Sequence, residues 1–149
     1  MKIGYTTGVF DLFHKGHVNF LKAAKTFCDH LIVGVTTDEL AKQEKKKAPI
    51  INFEDRMIVV SACKYVDLVI PHSDSDKIEI WKKLKFDILL IGDDWYGSQS
   101  YKIFEEQLQK NGVKVVYIPY TEGVSSTIIE ERVLQMKEKE DLPYQFKTI

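Results

Sequence analysis

The chain has 149 residues, 44% hydrophobic and 29% charged, with a formal net charge of -1. That length suits one domain with a sizeable core, and the near-neutral balance carries no electrostatic footprint for nucleic acid or an anionic bilayer. Two cysteines, Cys28 and Cys63, are too few for a disulfide framework. No apolar window is long enough to span a membrane and no signal-peptide core follows Met1-Lys2, so the expectation is a cytoplasmic protein.

Lys2–Thr7 reads as a first strand, followed by a helix in which Val18, Leu21 and Ala24 share one face. His30–Val35 reads as a second strand, and Thr36–Ala48 as the loop after it. Met57, Val60 and Cys63 follow helical spacing before a third strand at Val66–Ile70. Ile80 and Leu84 mark the next helix, Phe86–Ile91 the fourth strand, and Ile103, Phe104 and Leu108 a further helix. Asn111-Gly112 stops that helix before a fifth strand at Val113–Ile118. A last helix runs from about Ser126 to about Lys137, where Thr127 and Glu130 have capping-box spacing. One domain therefore covers residues 1–137, and 138–149 forms a polar C-terminal tail.

Strands alternating with helices imply an α/β fold: a doubly wound, Rossmann-like parallel sheet of about five strands with helices on both faces. Ligands of such sheets bind beyond the carboxyl ends of the strands. That rule selects five segments, Gly8–His17, Thr36–Ala48, Pro71–Lys77, Gly92–Gly97 and Pro119–Thr127.

In the first of these, GVFDLFHKGH, His14 and His17 lie at the start of a helix, with Gly16 between them. Three readings fit: a helix start that happens to hold histidines, a metal site, or a phosphate site using the helix's unpaired N–H groups. A zinc site needs further ligands, and the nearest, Cys28 and His30, fall at the opposite end of the sheet.

GVFDLFHKGH resembles the HxGH signature of the nucleotidyltransferase superfamily in its cytidylyltransferase form, and TEGVSST (121–127) resembles that family's second signature, RTEGISTT. Thr37-Asp38-Glu39, Lys46-Lys47-Ala48, Phe53-Glu54-Asp55-Arg56, Tyr65-Val66-Asp67 and Gly92-Asp93-Asp94-Trp95 fall between them in the family's order. Within the family the chain is most similar to the bacterial branch acting on glycerol 3-phosphate. The resemblance implies transfer of CMP from CTP, with Mg²⁺, to a small phosphorylated alcohol. CDP-glycerol for wall or capsule polymers and pyrophosphate would be the products. It implies direct attack on the α-phosphorus, with His14 and His17 holding the triphosphate and Lys46 contacting its phosphates. Val9, Phe10, Asp94, Trp95, Tyr120, Thr121, Glu122, Gly123, Val124, Ser125, Ser126 and Thr127 would complete the nucleotide site. Lys45 and Lys77 would contact the acceptor, and Asp11 would brace the turn. No nucleic-acid or membrane partner is implied, and a homodimer is.

Three positions depart from the family pattern. Tyr120 stands where the signature has arginine, which removes a phosphate-pairing group. Val9 replaces threonine, and Lys64 replaces an arginine tied to the dimer contact. The alternatives are another acceptor (phosphocholine, phosphoethanolamine, a sugar or polyol phosphate), adenylyl transfer to a heptose phosphate, a weakly active nucleotide-binding sensor and, last, a zinc hydrolase.

Overall fold

The computed structural model describes residues 1–93 and 96–138. Its elements run β1 (Ile3–Gly8), α1 (Lys15–Lys25), β2 (His30–Thr36), α2 (Asp38–Lys45), α3 (Phe53–Ser61), β3 (Leu68–His72), α4 (Lys77–Leu84), β4 (Ile88–Gly92), α5 (Gln99–Lys110), β5 (Lys114–Ile118) and α6 (Ser126–Glu138). The five strands are parallel in the order β3-β2-β1-β4-β5. The winding reverses at β1, so the crevice beyond the ends of β1 and β4 is the topological switch point where such sheets take ligands. The expected tail begins inside α6 at Glu138, and the rest of it lies outside the described residues.

Alternation along the strands divides the core into two layers. Leu31, Val33, Val35, Ile88 and Leu90 face Leu21 and Ala24 of α1 and Val60 of α3. Tyr5, Ile32, Leu89 and Ile91 face Leu108 of α5, with Ile78, Trp81 and Leu84 of α4 packed alongside. At the amino edge, an aspartate directly before each of β2, β3 and β4 fastens its neighbour. Asp29 accepts from the Lys2 amide (2.7 Å), Asp67 from Leu31 (2.8 Å) and Asp87 from Ile3 (2.8 Å). The ends of the sheet opposite these clips are left for chemistry.

The structure corrects three sequence-based expectations. The segment after β2 begins with a helix, α2, capped by Thr37, whose hydroxyl accepts from the Leu40 amide at 3.2 Å. β3 runs on through Pro71 to His72, because an edge strand has one side where a missing N–H is harmless. Finally, the cap of α6 is Ser125, whose Oγ accepts from the Ile128 amide at 3.0 Å. Thr127 lies within the helix, and Glu130 pairs with Lys47 rather than reaching back to the cap.

Candidate active site

The chain leaves β1 through a turn that holds two non-glycine residues in the left-handed region, Phe10 (φ 56) and Leu12 (φ 49). Such backbone persists only where its surroundings over-determine it. Here Phe10 is buried in the core. The Asp11 carboxylate accepts from the amides of Ile50 (2.8 Å), Ile51 (2.9 Å) and Leu12 (3.1 Å), so Asp11 braces the turn. Arg56, only 1% exposed, donates from Nη1 to the Val9 and Thr36 carbonyls (2.7 Å each). It also donates from Nε to the Ile51 carbonyl (2.8 Å) and from Nη2 to Asp38 (2.6 Å). The TDE and FEDR motifs are thus two ends of one ion pair that ties the ends of β1 and β2 together.

The turn delivers two histidines in a reciprocal cap. His14 is the N-cap of α1: its Nδ1 accepts from the Gly16 amide at 3.0 Å, while Nδ1 of His17 accepts from the His14 amide at 3.1 Å. A backbone N–H can only donate, so neither Nδ1 holds a proton, and Nε2–H is the one donor left to each ring. The rings lie 3.9 Å apart between centroids, and His17 stacks on Phe13 at 5.2 Å. Burial lowers both pKa values. His17 is pushed down to about 4 by desolvation and by neighbouring His14 and Lys45, against the opposing pull of Asp11. Both rings are therefore neutral donors at physiological pH.

The second signature meets the first directly. Asn19 donates to the Thr121 hydroxyl at 3.1 Å, and the Ser126 hydroxyl donates to the Asp11 carbonyl. A β-carbon on Gly16 would stand 3.2 Å from Val124 and 2.8 Å from the His14 ring, so only glycine lets the loop and the imidazole close together here. Gly123 turns at φ 78. With Ser125 as cap, the start of α6 is held beside the start of α1 by the Ser126–Asp11 bond and the close approach of Val124 to Gly16. Helix N-termini and imidazole N–H groups are both donors of the kind that suits an anion.

Tyr120 does not occupy the position as a charged group. Its ring lies near-parallel to Phe20 with centroids 6.4 Å apart, and its hydroxyl fills the space where Gly92 lacks a side chain. Lys45 ends α2 and Lys46 follows in the left-handed conformation (φ 56), both exposed; the charge of Lys45 reaches His17. Lys77 is buried on the opposite face of the sheet, donating to the Thr7 hydroxyl at 3.1 Å. Glu122 is exposed beside Gly123. Asp94 and Trp95 lie outside the described residues. Arg56 escaped the sequence reading, although its motif was singled out. No group of three or more His, Cys, Asp or Glu side chains among the described residues is arranged to hold a metal.

A parallel sheet with its switch point at β1, a histidine-capped helix after it and a serine-capped helix opposite define an α/β nucleotidyltransferase. The chain belongs to the cytidylyltransferase-like family, whose model matches residues 5–132. It is 37% identical to glycerol-3-phosphate cytidylyltransferase of Bacillus subtilis strain 168 over 89% of this chain and 98% of that one. It is 42% identical to FAD synthase of Pyrococcus abyssi over 76% of this chain and 77% of that protein. The crystal structure of the lipopolysaccharide core biosynthesis protein from Thermoplasma volcanium GSS1 superposes with a TM-score of 0.67 at 29% identity, covering 81% of this chain and 97% of that one.

The half-buried His17 and the buried His72 also set an acid limit on the fold. His72 at the end of β3 is pushed down to about 4 by burial, with Lys77 adding to the effect and Asp74 opposing it. With folded values near 4 for His17 and His72 against an ordinary 6.5, the unfolded chain holds more protons between those limits. Stability is therefore lost as pH falls through that window. Thermal melts from pH 7 down to pH 4.5 are expected to show a steadily falling Tm. A flat or rising Tm would contradict the assignment.

Proposed function

We propose that the protein transfers CMP from CTP to glycerol 3-phosphate, giving CDP-glycerol, a donor for wall or capsule polymers, and pyrophosphate. The observation that carries this reading is the histidine-capped start of α1, each ring left with Nε2–H as its donor, held against the serine-capped start of α6. In the reaction, an acceptor phosphate oxygen bonds to the α-phosphorus as the bond to the β-phosphate bridge breaks. Charge grows on the transferred group and on the departing pyrophosphate. Donors fixed beforehand stabilise that charge without reorganising. Lys46 and Lys45, at the exposed end of α2, add positive charge, and Lys77 holds the acceptor. Mg²⁺ enters with CTP, with phosphate oxygens supplying its ligands, as is usual for this ion.

The assay is direct: CTP, Mg²⁺ and a panel of phosphorylated alcohols with the purified protein, read by pyrophosphate release and mass detection of the CDP product. Glycerol 3-phosphate is expected to turn over fastest, and CTP to outrun ATP. No turnover with any acceptor overturns the reading. The enzyme works in the cytoplasm, where CTP is available, and no helix among the described residues is long and apolar enough to cross a membrane.

A homodimer belongs to the same proposal. The α3–β3 edge exposes Ile58 (66%) and Leu68 (45%), and a depression of about 380 Å³ between them is lined by Met57, Val66 and Val69. Apolar surface along an unpaired edge strand is normally covered. Ile58→Glu is expected to convert a dimer to a monomer by light scattering. A parent protein that is itself monomeric at micromolar concentration would end the dimer reading.

A further inference from the structure

Helix α1 turns one stripe of its surface, Gly16, Asn19 and Phe20, toward the loop that joins β5 to α6. Residues three and four apart on a helix share a face, and each position of this stripe meets a different loop residue. The Phe20 ring lies near-parallel to Tyr120 with centroids 6.4 Å apart. Asn19 Nδ2 donates to the Thr121 hydroxyl at 3.1 Å. A β-carbon on Gly16 would stand 3.2 Å from Val124 Cγ1. Rising loop numbers thus meet falling helix numbers. The loop therefore runs antiparallel to α1, toward His14, and the Ser126 hydroxyl closes the run on the Asp11 carbonyl.

Tyr120 is seated at its far end as well. A β-carbon on Gly92, the last residue of β4, would stand 2.1 Å from the Tyr120 hydroxyl oxygen and 2.4 Å from Cζ. The three nearest atoms to that β-carbon all belong to Tyr120. The side chain thus reaches from just beyond β5 across to the end of β4 and takes the space a side chain at 92 would need. Tyr120 stays 55% exposed, so it adds little to the core. What its contacts fix is the path of the loop.

We propose that Tyr120 and Asn19 are positioning residues, which lay the 120–125 loop along α1 before a nucleotide arrives. The inference rests on the cytidylyltransferase reading, and it adds two residues and a physical reason for the departure at position 120. An arginine there has a long side chain that is ordered only when a phosphate pairs with it, and that ordering opposes binding. A tyrosine has two side-chain torsions, and this one is already seated between Phe20 and Gly92. CTP therefore meets a loop shaped in advance, and preorganisation offsets the phosphate contact that the arginine would have made.

Amide hydrogen exchange across residues 120–125 reads the loop with no ligand present, and calorimetry reads CTP binding. Tyr120→Ala is expected to speed exchange in that segment and to raise the CTP Kd about tenfold. Its acceptor KM at saturating CTP is expected to stay unchanged, and its Tm to stay within a few degrees of the parent. Tyr120→Phe, which keeps the ring against Phe20, is expected to lie between, and Asn19→Ala to act on the same segment with about a threefold loss. Gly92→Ala has no strained backbone to pay for, so its effect comes through the displaced tyrosine, and it is expected to copy Tyr120→Ala. The double variant Gly92→Ala, Tyr120→Ala is expected to bind CTP no more weakly than either single variant, because nothing is left to displace. Losses that multiply in the double variant overturn the inference. So does unchanged loop exchange in Tyr120→Ala, even where CTP binding falls. A matched rise in acceptor KM with a large drop in Tm overturns it too, because a purely structural residue behaves that way. A parent that binds no CTP fails the cytidylyltransferase reading instead, and loop exchange still judges the anchor.

Discussion

Replacing either imidazole of the HKGH turn by alanine is expected to lower kcat by about 10²-fold or more, as loss of a donor aimed at developing charge typically does. The geometry separates two jobs that one substitution would confuse. Each ring gives its Nδ1 to a backbone amide and keeps Nε2–H for another partner. Alanine removes both functions, and loss of an N-cap alone costs about 1 kcal/mol.

Asparagine at position 14 pulls the two apart. Its Oδ1 stands close to where Nδ1 stood and is a strong N-cap acceptor. It has nothing where Nε2–H was. His14→Asn is therefore expected to melt within a few degrees of the parent while losing as much turnover as His14→Ala. If His14→Asn keeps its activity, His14 is a helix cap and no more, and the catalytic role fails. The companion change at His17 is less clean, because that ring also stacks on Phe13 and approaches Phe10 at 5.4 Å, so its removal disturbs packing as well.

The strands were legible because buried parallel strands must be short apolar runs, whatever their neighbours. All five fall within two residues of their expected positions, and β3 begins and ends two residues late because it runs on through Pro71. Proline ends a central strand, but whether a strand lies at the edge depends on sheet order, which a local run does not encode. Helix α2 escaped for a related reason. It buries only Leu40 and Ala41, too few to write a helical period, and its lysines read as solvated loop. Thr37 followed by Asp38 and Glu39 was the signal available, a capping residue with acids in the first turn. At the site, the HKGH and TEGVSST segments were visible because the resemblance covers them. Arg56 was not, since a charged residue on a short amphipathic helix looks like a surface position until three other segments close over it.

That arginine carries the second large expected effect. Arg56→Met is expected to destabilise the protein by about 3 kcal/mol or more, because it leaves several buried acceptors without a donor at about 1–3 kcal/mol each. For a chain of this length the shift is roughly 10 °C in Tm. The loss comes less from Asp38, which is 40% exposed and can take water, than from the carbonyls of Val9, Thr36 and Ile51. The first two sit at the carboxyl ends of β1 and β2 and the third just before α3, and a methionine side chain offers none of them a donor. The damage extends to function because the Val9 carbonyl is an anchor of the turn that holds Phe10 and Leu12 in left-handed backbone. Releasing it lets the turn relax and moves His14 off the cap, so CTP affinity is expected to fall even in the fraction that remains folded at low temperature. Arg56→Lys keeps the charge but cannot fork across four acceptors, and is expected to recover less than half of the lost stability. Melts of the three proteins, paired with CTP calorimetry at 10 °C, decide the matter. An Arg56→Met protein as stable as the parent, with unchanged CTP binding, would show that the turn is held by Asp11 and Ser126 alone.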